Sequence, residues 1–178
     1  CALRLGGSFL FSMNVIRTDC LVIGAGLAGC AYALQAAQRG LDVQLLSLNG
    51  PLSANSDWAQ GGIIYSVNSD PELFARDIMD ASDQLANPAA VAHLVKEGPI
   101  AVKELLLDTL GIPFDRTEDG GLEFTREGGH HERRIIHAKD TTGHAILAGV
   151  AARVDATPRI TRRLGWVAID LLTLSHST

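Results

Sequence analysis

Asp19-Cys20-Leu21-Val22-Ile23-Gly24-Ala25-Gly26-Leu27-Ala28-Gly29 decides the fold of this 178-residue chain. Residues 19–23 form a compact apolar run ending in glycine, the pattern of a strand buried on both faces of a parallel sheet. Residues 27–39 read as an alanine-rich helix closed by Gly40, where a left-handed backbone is favoured. A second strand follows over 42–47 and ends at Asn49-Gly50-Pro51, so the segment is a β-α-β unit, whose crossover is expected to be right-handed.

The turn at its centre has the form G-x-G-x-x-G at a strand-to-helix junction. Gly24 permits the tight turn, Gly26 lets backbone approach a diphosphate, and Gly29 lets helix and strand pack closely. Free amides at the helix start, with the positive end of the helix dipole, favour a phosphate there. Dinucleotide binding is therefore preferred over a merely structural turn. The acid expected about 20 residues on is absent. Ser47-Leu48-Asn49 stand in its place, so a ribose contact must come from Ser47, Asn49 or backbone, which weakens an NAD reading.

Beyond this unit, residues 53–62 form a loop rich in specific side chains that is expected to face the cofactor. Ser69-Asp70-Pro71-Glu72 has capping-box spacing and opens a helix with Phe74 and Ile78 on one face. Asn87-Pro88 opens another, carrying Val91, Leu94 and Val95, interrupted at Gly98-Pro99 and resumed from Val102 to Leu110 before Gly111. Residues 114–117 and 122–125 suggest a small hairpin about a Glu118-Asp119-Gly120-Gly121 turn, and 133–138 a further strand. Asp140 is placed to cap a helix from about Thr142 with a small-residue face of Ala145, Ile146, Ala148 and Val150, and 166–172 read as a final strand.

Composition is that of an ordinary globular domain, 47% hydrophobic and 20% charged. A net charge of −5 argues against a nucleic-acid partner, which would need a basic surface to displace counterions. No apolar run approaches the roughly 18 residues that span a bilayer. Cys20 and Cys30 fall in a strand and a helix, so neither a disulfide framework nor a metal site is expected, and a reducing cytoplasm fits. Residues 1–12 read as a disordered extension before Met13.

Local positive charge gathers further on, where Glu127, flanked by Gly128 and Gly129, sits among Arg126, Arg133, Arg134, Lys139 and His130, His131, His137 and His144. Such a cluster suits one wall of a small-anion pocket. The arginines could clamp carboxylates bidentately, and for any one of them a salt-bridged surface role is an equal reading. The histidines lack the accompanying cysteines or carboxylate spacing of a metal site.

Three motifs in order, GAGLAG at 24–29, AQGGI at 59–63 and TREGGHHERRIIHAKDTTGHA at 125–145, carry a family resemblance. The chain resembles the flavoproteins of the succinate dehydrogenase and fumarate reductase superfamily and, through Thr-Arg-Glu-Gly-Gly-His, most of all its L-aspartate oxidase branch. The resemblance covers about residues 18–170. It implies an α/β, Rossmann-like FAD-binding domain with added helices and a small hairpin, incomplete here because the capping and C-terminal helical domains would lie beyond Thr178. Residues 13–178 would be the N-terminal part of that domain, catalytically incompetent alone and with apolar surface left exposed.

The resemblance also implies roles. Gly24, Ala25, Gly26, Leu27, Ala28 and Gly29 would hold the FAD diphosphate, with Ser47 and Leu48 near the adenosine ribose. Asn55, Ser56, Asp57, Trp58, Ala59, Gln60, Gly61 and Gly62 would line the flavin. Asn55 stands where dehydrogenases carry the histidine that links flavin covalently, which implies noncovalent FAD. Glu127 would be the catalytic-site glutamate that orients the substrate ammonium. The implied activity is oxidation of L-aspartate to iminoaspartate, opening de novo NAD biosynthesis, with oxygen or fumarate as electron acceptor and quinolinate synthase as a channelling partner. The alternatives are a fumarate reductase or succinate dehydrogenase flavoprotein and a noncatalytic dinucleotide-binding module.

Overall fold

The computed structural model describes residues 15–50 and 52–172; the extension expected over 1–12 lies outside them. Among the described residues, two small sheets and four α-helices build the domain. Strands β1 (Cys20–Ile23), β2 (Val43–Ser47) and β6 (Ile160–Leu164) pair in parallel in the order β1-β2-β6. Register runs Val22 to Leu45 and Leu45 to Arg162. Helix α1 (Leu27–Gln38) joins β1 to β2 and ends at Gly40 with φ +86°, as its sequence requires.

Helix α4 (Thr142–Asp155) packs beside α1, and both lie against the parallel sheet. Alanines make this close approach feasible: Cys30, Ala33 and Ala37 of α1 and Leu147, Val150, Ala151 and Val154 of α4 are buried with Val43 and Leu45 of the sheet. Burying each such valine or leucine contributes about 1.5–3 kcal/mol. On the other face the edge strand β1 is uncovered. Leu21 and Ile23 remain 53% and 63% exposed, so β1 is buried on one face, not on both as its apolar run suggested.

The second sheet positions the site. Its short antiparallel strands β3 (Ile63–Ile64), β5 (Ile135–Ile136) and β4 (Phe124–Thr125) lie in the order β3-β5-β4, with Ile136 opposite both Ile63 and Phe124. The expected hairpin is present about the 118–121 turn, through an Arg116–Leu122 bridge and a Thr117 amide bond to the Gly121 carbonyl.

Helix α2 (Pro71–Ala81) begins one residue later than the capping-box spacing implied: Asp70, not Ser69, is the cap, its carboxylate accepting the Glu72 amide. Asn87 caps α3 (Pro88–Ala101) as expected. Gly98-Pro99 does not interrupt that helix. The chain passes through Pro99 and widens into a π-helical segment, Val102–Thr109, the Leu110 amide reaching back five residues to the Leu105 carbonyl. A widened turn accommodates the amide that proline lacks.

Asp140 does not cap α4. Thr141 occupies that position, and the Thr142 hydroxyl instead accepts the Ala138 amide. The last strand is 160–164, not 166–172, because Ile160 and Arg162 find partners on β2 and α4 while 166–172 leave the sheet after Gly165, φ +74°. Arg162 packs its stem and donates to the Ala151 carbonyl, 3.0 Å. No helix among the described residues is long and apolar enough to cross a membrane.

Candidate functional site

At the end of β1, Gly24 adopts φ +104° and its amide donates to the Leu46 carbonyl of β2, 2.9 Å. A Cβ on Gly29 would lie 1.9 Å from the Gly24 carbonyl oxygen. Only hydrogen at residue 29 lets α1 start this close to the turn. Gly26 caps α1 with no side-chain hydrogen bond of its own, and among the described residues no side chain accepts the amides of Ala28 and Gly29. A cleft of about 370 Å³ opens there, lined on one side by Gly24, Ala25 and Gly26 and on the other by Ser47, Leu48 and Asn49. The Ser47 hydroxyl donates to the Asn49 carbonyl, 2.9 Å, shaping the loop that follows β2.

Residues 166–168, read as a strand from sequence, form a third wall of this cleft. The Trp166 amide donates to the Ser47 carbonyl, 3.2 Å, and its ring lies 5.7 Å from the Arg163 guanidinium. Gly165 with its positive φ was the available signal that the strand ends before this segment.

The loop after β2 folds back onto the glycine turn. Residues Asn55–Trp58 make one 3-10 turn, and the Ser56 hydroxyl accepts the Leu27 amide at 3.3 Å, so two motifs 29 residues apart meet at the start of α1. The start of α4 closes on the same loop: the Gly143 amide donates to the Ala59 carbonyl, 2.9 Å, and a Cβ there would come within 2.1 Å of the Ser56 carbonyl. His144 Nδ1 pairs with Asp57 at 2.8 Å. Trp58 stands apart, 80% exposed, beside a separate shallow hollow with Gly50, Leu52 and Ser53. Ala28, Gln60 and Gly61 are surface positions.

Glu127 reaches this assembly from β4. Its Oε1 lies 3.5 Å from the Gly62 amide and 3.4 Å from His137 Nε2, and Thr125 bonds the same imidazole. A Cβ on Gly62 would collide with Ile135 and Ile136 of β5, so glycine there brings loop, strand and carboxylate together. Thr125, Arg126, His131 and Arg133 line an open depression of about 610 Å³ on the adjoining surface.

Not every member of the expected wall is there. Arg134 is wholly buried, 3.0 Å from the Asp77 carboxylate of α2 and 3.2 Å from Glu132, with its guanidinium 4.8 Å above the Phe74 ring. It braces the fold. Lys139 lies in the turn before α4, its amide on Asp115, 2.8 Å. Asp77 had no local sequence signal, because its partners are more than fifty residues away: it accepts the His131 amide at 3.0 Å and pairs with the His131 ring. Burial pushes the Asp77 carboxyl up, but the His131 hydrogen bonds and the Arg134 charge outweigh it and hold the group below the usual carboxylate range. Among the described residues no cluster of three or more histidine, cysteine, aspartate or glutamate side chains could hold a metal ion. Cys20 and Cys30 are free thiols, and burial pushes Cys30 up.

A parallel sheet, a glycine turn against a helix start and a loop sealed onto both define the class: an α/β dinucleotide-binding domain. The chain belongs to the FAD binding domain family, whose model matches residues 19–177. FAD is its cofactor, and the glycine contact at Gly29, the helix start with Ala28 and Gly29 amides that no side chain takes up, and the three-walled cleft fit a diphosphate-bridged dinucleotide. The chain is 43% identical over 161 residues to an L-aspartate oxidase of Halobacterium salinarum, which covers 90% of this chain and 31% of that protein. It is 38% identical over 157 residues to the chloroplastic L-aspartate oxidase of Arabidopsis thaliana, over 87% of this chain and 24% of that one. A solved structure of E. coli quinol fumarate reductase matches with TM-score 0.78 and 27% identity, over 84% of this chain and 26% of that chain. The chain thus spans about a third or less of the length of the relatives it matches.

Proposed function

We propose that this domain belongs to an FAD enzyme that oxidises L-aspartate to iminoaspartate, the entry step of de novo NAD biosynthesis, with oxygen or fumarate taking the electrons. The observation that carries this reading is the placing of Glu127 beside Gly61 and Gly62, at the end of the loop sealed onto the glycine turn. The L-aspartate oxidase relatives supply its context. When bound, FAD supplies the acceptor for the hydride that leaves the substrate α-carbon.

The protein's own part is to bind and orient. Residues 24–29 hold the diphosphate by backbone, with the α1 dipole opposing its charge. Ser47 and Leu48 flank the ribose. Residues 55–62 lie along the flavin, and Asn55, lacking a nucleophilic nitrogen of the imidazole kind, leaves the cofactor noncovalent. The Glu127 carboxylate attracts the substrate ammonium, and the Arg126–Arg133 surface attracts its carboxylates. An acidic partner for an ammonium group distinguishes this site from one built for succinate, which has none.

The test is anaerobic mixing of the full-length protein with L-aspartate and, separately, with succinate. Bleaching of the visible flavin band by L-aspartate is expected; bleaching by succinate alone overturns the reading in favour of a dehydrogenase.

A further inference from the structure

We propose that Asp77 is a positioning residue for Glu127: from helix α2 its buried carboxylate holds the backbone immediately after the turn that carries Glu127, and so aims Glu127 at the substrate. The proposal rests on the reading of Glu127 as the group that meets the substrate ammonium.

Residues 127–130 form a tight turn closed by the His130 amide on the Glu127 carbonyl, 3.2 Å, with Gly129 at φ +82°. Two glycines in one turn give the chain little intrinsic preference for a single conformation. On its N-terminal side the turn is fixed by pairing of Thr125 with Ile135. On its C-terminal side the next amide, that of His131, donates to Asp77 at 3.0 Å, and the His131 ring bonds the other oxygen of the same carboxylate.

Helix α2 extends this grip along the following residues. Glu132 accepts the amide of Asp70, the helix cap, at 3.2 Å, and Arg134 spans Glu132 and Asp77 above the Phe74 ring. The Asp77 side chain is 1% exposed and that of Arg134 0%, so water does not compete for these contacts. His131 is 69% exposed, so burying its imidazole is not what this arrangement achieves. The carboxylate's contacts converge on loop backbone and on one buried arginine, which is the arrangement expected of a group that fixes a loop. Asp77 itself lines none of the clefts described above. Its effect on substrate therefore passes through Glu127.

Removing Asp77 alone would leave the buried Arg134 with only the partly exposed Glu132 as its partner, so the test is built on the full-length protein carrying Arg134→Met. In that background, Asp77→Asn keeps an oxygen for the His131 amide and Asp77→Leu does not. The Asn variant is expected to keep the parental KM for L-aspartate. The Leu variant is expected to raise KM about tenfold, within what a misplacement of ~1 Å can cost, while its FAD content and visible flavin spectrum stay unchanged. Adding Glu127→Gln to the Leu variant should raise KM by much less than Glu127→Gln does alone, since the two changes remove one interaction.

Equal KM values for the Asn and Leu variants, with Glu127→Gln still harmful, overturn the positioning role and leave the Glu127 reading standing. A Glu127→Gln variant with parental KM overturns both. Hydrogen exchange of the unaltered protein gives an independent check: the His131 amide should be protected, and exchange at the rate of an open amide contradicts the proposal.

Discussion

The two halves of the site are held by different physics. Around the glycine turn, contacts are made by backbone and depend on missing side chains: Gly29 against Gly24, Gly143 against Ser56 and Ala59, Gly62 against β5. In the segment that follows Glu127 they are made by charge, through Asp77, Arg134, Glu132 and His131. A cofactor of fixed shape suits a cradle packed closely enough that Gly29, Gly62 and Gly143 leave no room for a Cβ. On the proposed reading Glu127 has to be aimed, and an ionic brace suits that task, its strength depending on pH and on keeping both partners.

Steric substitution should separate the halves most strongly. Gly29→Ala and Gly143→Ala each force a Cβ within about 2 Å of a backbone oxygen, a clash expected to cost about 3 kcal/mol or more. Both are expected to lose FAD on gel filtration and to unfold at lower denaturant. Gly128→Ala, in the other half, meets nothing within 4 Å and should do neither. If Gly143→Ala retains full FAD, the close-packed description of the cradle is wrong.

Acid should then discriminate in the opposite sense. Because the folded Asp77 carboxyl is held below its unfolded value, its contribution is present above the usual carboxylate range and is lost as pH falls through the depressed folded value. Thermal scans from about pH 5 downward should show the unaltered protein losing stability more steeply than the Asp77→Asn/Arg134→Met variant. Parallel curves would remove Asp77 from the brace.

A smaller effect is expected from His144→Leu, which removes the 2.8 Å pair with Asp57 at the cradle's edge. One such bond is worth about 0.5–1.5 kcal/mol, so FAD should bind roughly 2- to 10-fold more weakly. His144→Asn, which can still donate to Asp57, should recover most of it. The smallest signal is chemical: the Cys30 thiol, buried and pushed up, should resist alkylation until the protein unfolds, and rapid labelling of native Cys30 would show that the α1–α4 packing opens.

How much of this was legible beforehand follows from the range of each interaction. The β-α-β unit, the Asn87 cap, the tight turn at Gly24 and the close packing at Gly29 are written in neighbouring residues, and they stand where the sequence placed them. The last strand was misplaced because Ile160-Thr161-Arg162-Arg163-Leu164 carries two arginines, and only the neighbouring helix reveals that Arg162 lays its stem on protein. Pro99 read as a break because its missing amide is visible in sequence while the π-helical widening that absorbs it is not. In the candidate site, the motif singles out Glu127 for the proposed role. Arg134 could not be told from Arg126 and Arg133, and only Asp77, 57 residues upstream, turns that arginine inward.

Glu127→Gln in the full-length protein tests the central claim most directly, by comparing turnover of L-aspartate with reduction of fumarate. A loss concentrated on L-aspartate is predicted, since only that substrate offers an ammonium group to the carboxylate. Equal loss of both activities would contradict it.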